Sequence, residues 1–334
     1  MQQQAGSIKF IYLSQKDMKR VLNMEMTLEA VEDAFRFIGT GEIMQQHCFD
    51  MHLPLSHFSF ILPHPAYIKP WNVVGDKWVG ASAGNPSKGL PYIMGQVLLN
   101  EAETLRPLAV MDGGYLTAMR TAGHAAIGTK YLAKKDSRVL TIIGCGVEGK
   151  THLEAIDKLG LYDFKEVRIF DIKRDAMLAF KEEMDKALGL DIRIMESVQA
   201  AAQGSDIICM VTTAGKPVLY DEWVEPGTHV AATAVYDVET KINKTADKWV
   251  LGDNERDRLW IDNPDEYKLY GFSFDDVYGD LSEIVCGKKA GRENDKERTI
   301  MTHLGMGALD IACAYRAYQA AKKEGLGIEL DLIG

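Results

Sequence analysis

Residues 138–149 read Arg138-Val139-Leu140-Thr141-Ile142-Ile143-Gly144-Cys145-Gly146-Val147-Glu148-Gly149, and a helix-like stretch, 151–159, follows. The run 139–143 has the length and β-branched composition of a buried strand. The glycines then fall at G-x-G-x-x-G spacing between that strand and the helix. Gly144 permits a tight turn. Gly146 has no Cβ, so a diphosphate can approach its backbone, and the helix N-terminus offers unpaired N–H groups and a positive dipole end. Such a glycine triplet alone is weak evidence, and its strand–turn–helix setting makes it stronger. The competing reading is an ordinary tight turn that holds no ligand.

The next strand-like run, 167–170, ends at Asp171. A carboxylate there accepts hydrogen bonds from an adenine-ribose 2′-OH and repels a 2′-phosphate. Its separation from the turn is somewhat longer than the usual ~20 residues. Lys173 and Arg174 offer cations that suit such a phosphate, so NAD is expected and NADP is the alternative. Glu148 sits awkwardly near the phosphates unless it points away. The candidate cofactor contacts are Gly144, Gly146, Val147, Glu148, Asp171 and Thr212. Further strand-like runs at 192–195, 207–211, 229–232 and 249–251 alternate with helical ones. That alternation predicts βα units on a mostly parallel sheet.

Outside this block the pattern changes. Helical spacing covers 28–38, 115–132 and 306–323, and a helix start is expected at Ser14. The stretch 48–71 holds four prolines and reads as extended segments and loops. Between 73 and 110 lie short β-rich runs with turns at Gly84-Asn85-Pro86 and Lys88-Gly89-Leu90-Pro91. The length of 334 residues suggests two domains. Acidic residues outnumber Lys plus Arg, 48 to 38, giving a net charge of −10, which argues against general nucleic-acid binding. No run reaches the ~18 apolar residues of a membrane span. The stretch 1–7 lacks the character of a secretory signal. Cys48, Cys145, Cys209, Cys286 and Cys313 are scattered, with no Cys-x-x-Cys pair, so neither a disulfide framework nor a thiolate zinc site is expected. His47, His52, His57 and His64 lack metal-site spacing and read as core or surface. A reducing cytoplasm is the expected compartment.

Three residues outside the glycine turn are candidates for chemistry. Lys77 lies in Gly75-Asp76-Lys77-Trp78-Val79, where partial burial would lower its pKa toward use as an acid or base. Read alone, it is better explained as a surface lysine. Arg120 sits among small and apolar residues in Leu116-Thr117-Ala118-Met119-Arg120-Thr121-Ala122-Gly123, so it needs an anion, either a substrate carboxylate or a protein one. Asp237 follows the apolar strand 230–232, where ligands gather in doubly wound sheets, and is a candidate for an amino group. A loop-capping role is its alternative.

Together these segments resemble the ornithine cyclodeaminase/mu-crystallin family. The likeness is carried by Gly84 to Pro91, by 107–113 with Thr117-Ala118-Met119-Arg120-Thr121-Ala122, by 142–147, and by Leu304-Gly305-Met306 with Asp310. It runs from about residue 73 to the C-terminus. The resemblance implies Lys77 as the active-site acid/base and Arg120 as the clamp on the substrate α-carboxylate. It implies that Asp237 binds or activates the amino or imino nitrogen. It also implies a Rossmann-type doubly wound α/β domain (119–304) inserted in a mixed α+β substrate-binding and dimerisation domain (1–118 with 305–334). Members that cyclise ornithine carry an arginine in the N-terminal segment, but Gln45 to Pro54 has none. Tyr92 stands where the family commonly has Thr, and Glu148 where it usually has Gln. The expected activity is NAD(P)-dependent hydride transfer at the α-carbon of a small amino or imino acid, by a homodimer without metal, membrane or nucleic-acid partners. An ammonia-releasing cyclodeaminase and a non-catalytic dinucleotide-binding module are the rival readings.

Overall fold

The computed structural model describes residues 7–46, 50–233, 235–261 and 273–334. His47 and Cys48, both read above, lie outside them. The chain forms two compact units: Met1–Arg120 with Gly305–Gly334, and Thr121–Leu304.

The first unit opens with β1 (Lys9–Leu13), α1 (Gln15–Val21) and α2 (Met24–Gly39). Ser14 caps α1 in a reciprocal capping box with Asp17, and Asn23 caps α2. Next come β2 (Ile43–Gln45), β3 (Met51–His52), β4 (Ser59–Ile68), β5 (Val73–Ser82), β6 (Ile93–Glu101), β7 (Pro107–Asp112) and α3 (Gly113–Leu132), inside which the unit boundary falls. The stretch read as loops around the prolines is therefore partly a ten-residue strand. Pro63 and Pro65 lie between the segments of β4 that pair with β2 and with β3, so their missing N–H groups break neither ladder.

β5 is likewise one ten-residue strand rather than two short runs. Its inward positions are Val73, Gly75, Lys77, Val79 and Ala81, as the two-residue period requires. His64 is the direct cross-strand partner of Lys77.

The second unit continues with β8 (Val139–Ile143), α4 (Val147–Lys158), β9 (Glu166–Phe170), α5 (Arg174–Leu188), β10 (Ile192–Ile194), α6 (Val198–Ala202), β11 (Ile207–Met210) and β12 (His229–Ala232). It ends with α7 (Thr240–Thr245), β13 (Lys248–Leu251), α8 (Asn254–Ile261), β14 (Gly279–Asp280), α9 (Leu281–Val285) and β15 (Thr299–Thr302). The strand order is β10-β9-β8-β11-β12-β15-β13-β14, all parallel. β8, β11, β12 and β13 are buried almost throughout, as expected of strands covered on both faces. The order reverses at the β8–β11 pair, the point where open α/β sheets bind ligands beyond the strand carboxyl ends.

The chain then returns to the first unit as α10 (Gly307–Glu324) and β16 (Ile328–Asp331). The first unit's sheet runs β16-β1-β7-β6-β5-β4-β2, with β3 also on β4, and only the β1–β7 pair is parallel. α10 packs on β4, β5 and β6. Two glycines permit its approach. A Cβ at Gly75 would meet Ile311 Cδ1 at 2.8 Å, and one at Gly307 would meet the carbonyl oxygens of His64 and Pro65 at 2.7 Å. Among the described residues, no helix is long and apolar enough to cross a membrane.

Candidate active site

In the second unit, the turn after β8 has the geometry of an anion seat. Gly144 has φ +109°, a left-handed conformation that favours glycine, and a Cβ there would lie 2.5 Å from Val211 O. A Cβ at Gly149 would collide with Gly144 O. Both glycines are thus demanded by the packing of α4 on β8, with or without a ligand. Gly146 differs, because a Cβ there meets nothing within 4 Å. It is the N-cap of α4 and supplies no side-chain hydrogen bond to the helix's first N–H groups. Open space above an uncapped helix N-terminus fits a diphosphate. Val147 is exposed at the turn, and Glu148 turns back toward His152, with Oε2 3.7 Å from His152 Nδ1.

Asp171 is tied to this turn. Its Oδ2 accepts from Cys145 N at 2.9 Å and its Oδ1 from Lys173 N at 2.8 Å. Two backbone donors hold the carboxylate in place and leave each oxygen a lone pair for a ribose hydroxyl. Beside it Ile172 is 91% exposed, an apolar surface next to the ribose position that the sequence reading passed over.

Thr212 and Asp237 follow the neighbouring strands β11 and β12 and are brought together. Asp237 Oδ2 accepts from Thr212 Oγ1 at 2.7 Å and from Thr212 N at 3.1 Å. Asp237 is buried. Burial pushes its carboxyl up from the ordinary value, against the opposing pull of Thr212. Thr212, expected as a cofactor contact, is in this structure the residue that holds Asp237.

The first unit contains a different kind of site. Lys77, on the inward face of β5, has no exposed surface. The expectation of a partly solvated lysine is corrected here. Its Nζ donates to Asp310 Oδ1 at 2.7 Å. Arg120 Nε lies 2.8 Å from the same oxygen, and His64 Nδ1 lies 3.0 Å from Oδ2. Burial alone would raise the Asp310 carboxyl. Arg120 and Lys77, with His64, outweigh it and hold the group well below the usual carboxylate range. The anion that Arg120 needs is therefore supplied, at its Nε edge, by the protein.

Asp310 was legible only as part of a C-terminal motif, and His64 only as core or surface. No local spacing joins them to Lys77. Gly305 passes close to the cluster, since a Cβ there would sit 2.8 Å from His64 Cε1 and 2.9 Å from Arg120 Nη2. Tyr92 is half-buried, and its carbonyl accepts from Ser82 N at 2.9 Å. Ser82 is five residues along β5 from Lys77, roughly 17 Å of strand, so Tyr92 is not brought to the cluster. Among the described residues no group of His, Cys, Asp and Glu is arranged to hold a metal ion.

With this geometry in place, comparison with known proteins is informative. The model of the ornithine cyclodeaminase/mu-crystallin family matches residues 9–325. The chain is 32% identical over 331 residues to an alanine dehydrogenase of Archaeoglobus fulgidus, covering 96% of this chain and 98% of that protein. Among solved structures, the Thermococcus litoralis Δ1-pyrroline-2-carboxylate reductase in complex with NADH and L-proline superposes with a TM-score of 0.88 at 31% identity, over 96% of this chain and 99% of that one. An archaeal alanine dehydrogenase dimer with bound NAD gives a TM-score of 0.86 at 30% identity, covering 97% and 99%.

Proposed function

This chain belongs to the ornithine cyclodeaminase/mu-crystallin family, and on that premise we propose that it is an NAD-dependent oxidoreductase acting on the C–N bond of a small amino or imino acid. The observation that carries the reading is the buried Lys77–Arg120–Asp310 cluster. It gathers the Lys77 and Arg120 cations on one buried carboxylate oxygen, a positive setting suited to a substrate carboxylate. Arg120, anchored through Nε, presents its two terminal nitrogens in the fork geometry that binds a carboxylate bidentately. Lys77 Nζ gives or takes the proton that accompanies the change at nitrogen. Asp237, raised by burial and oriented by Thr212, binds the amino or imino nitrogen.

The dinucleotide, when bound, supplies or accepts the hydride. For its part, the chain offers the α4 N-terminus to the diphosphate and Asp171 to the ribose. A fixed carboxylate at the ribose favours NAD over NADP, since a 2′-phosphate would meet a like charge. The relatives named above act on, or are solved with, alanine, pyrroline-2-carboxylate and proline, all small substrates with one α-carboxylate.

The test is a spectrophotometric screen with NADH and NADPH of cyclic imino acids, and of 2-oxo acids with ammonia or methylamine. Stoichiometric loss of NADH absorbance supports the reading. Ammonia release from a diamino acid without net NADH change would establish the cyclodeaminase instead. A homodimer is part of the proposal. The sheet of the first unit exposes Trp78, Met94 and Leu98 at 39%, 49% and 45%, an apolar patch that suits a second copy. Leu98→Glu should shift the species seen by light scattering toward monomer. Cys145, Cys209 and Cys313 are free thiols, which fits the reducing cytoplasm we propose as its compartment.

A further inference from the structure

We propose that Asp310 is the positioning residue of this site: through one buried carboxylate it fixes where Lys77 Nζ and the Arg120 guanidinium lie, and it sets the pH at which Lys77 gives up its proton. The inference rests on the reading of Lys77 as the acid/base group, and it concerns a residue that does not itself meet substrate.

The geometry assigns the role. Oδ1 is shared between Lys77 Nζ at 2.7 Å and Arg120 Nε at 2.8 Å, so the two cations are spaced by a single atom. Oδ2 is taken by His64 Nδ1 at 3.0 Å, which prevents the carboxylate from rotating. His64 faces Lys77 across β4 and β5, and Asp310 lies in the first turn of α10. Gly75 and Gly307 let that helix come close enough for a side chain as short as aspartate to reach β5.

Several titratable groups face Lys77. They include Asp310 and the Cys313 thiol on α10, Arg120 on α3, His64 on β4 and its sequence neighbour Asp76, while its partner on β6 is Val97. Burial holds the Cys313 thiol protonated, and burial raises Asp76. Arg120 opposes a charged lysine. The Asp310 carboxylate is within hydrogen-bond distance of Lys77 Nζ in a buried site, so it favours the ammonium form directly, with Asp76 acting on the same charge less directly. Without it, Lys77 would lose its proton at lower pH.

The experiment compares wild type with Asp310→Asn, which keeps size and an acceptor oxygen but removes the charge. In imine reduction, where Lys77 must carry a proton, the alkaline limb of the kcat/KM profile should move down by about one to three pH units. Affinity for NADH should be unchanged. Protein labelled at lysine Cε, with the Lys77 signal assigned through Lys77→Met, lets NMR follow the same titration with no substrate present. That arm separates the two hypotheses: a protein that turns over no substrate would sink the proposed function, while the lysine titration still decides the role of Asp310. Identical titration of Lys77 in wild type and Asp310→Asn would overturn the inference. Should Asp310→Asn fail to fold, Asp310→Glu keeps the charge and displaces it by one methylene. The pH limb should then stay in place while kcat falls about tenfold from misplacement. A wild-type kcat, or a moved limb, in that variant would equally overturn it.

Discussion

The glycine turn of the second unit and the charged cluster of the first are built on opposite principles. The turn is six consecutive residues, 144–149, with Asp171 folded back onto Cys145 N. Its donors are backbone N–H groups, and its specificity comes from what is missing: a side chain at Gly146 and a cap on α4. The cluster is made of side chains gathered from two strands and two helices, with Lys77 and Asp310 separated by 233 positions and His64 and Asp310 by 246. Its charges are buried and depend on one another. A site made of backbone is tolerant of most side-chain changes but not of added bulk. A site made of buried charge fails when any one member is removed, because the remaining charges are left without partners.

The comparison can be broken or sharpened by substitution. Lys77→Met should lower kcat for imine reduction by roughly 10³-fold while leaving NADH affinity intact, as expected of a lost acid/base group. A loss below tenfold would remove Lys77 from the chemistry. Arg120→Lys keeps the charge and loses the fork, so KM for the carboxylate substrate should rise about 10- to 100-fold with a smaller change in kcat. Equal KM values would show that Arg120 serves only the internal ion pair.

Within the turn, Gly144→Val and Gly146→Val separate fold from ligand. The first should lower both thermal stability and NADH binding, because its Cβ meets Val211 O at 2.5 Å in a left-handed conformation. The second should unfold at nearly the wild-type temperature yet bind NADH at least tenfold more weakly. Unaltered NADH affinity in Gly146→Val would favour a turn that holds no diphosphate.

A smaller effect concerns acid stability. Burial pushes His152 down to about 4, and its Nδ1 is 2.6 Å from Glu148 O in the turn itself. The unfolded chain protonates this imidazole near pH 6.5, so it binds more protons than the folded state as pH falls. Stability is therefore full above about pH 6.5 and declines toward pH 4, by up to about 3 kcal/mol for this residue. His152→Gln should flatten the dependence of Tm on pH across that window. An unchanged slope would assign the acid sensitivity elsewhere, for instance to His229, which burial pushes down to about 3.

Much of the second unit could be read along the chain. A strand, glycine turn, helix and acidic strand end follow one another within the 34 residues from 138 to 171. A strand, a tight turn and a helix are each encoded by neighbours, which is why their order was legible there. It worked less well on β5. Gly75 and Gly80 interrupt the β-rich pattern and suggest two short runs, yet they are glycines because Ile311 presses on the first and the Phe60 carbonyl on the second. The same packing seals Lys77, which apolar neighbours alone did not establish. Thr212 could be placed at a strand's carboxyl end, but its bond to Asp237 joins two strands whose adjacency the order of the chain does not reveal.

By itself, the sequence determined the parallel sheet, the glycine turn and the residue types available for chemistry, because periodicity and glycine spacing act over a few residues. Which anion compensates Arg120, whether Lys77 is wet or sealed, and that His64 belongs with them were decided only when α10 closed on β4 and β5. A buried charge is stable only beside its opposite, and nothing in the order of residues states which opposite will be brought within 3 Å.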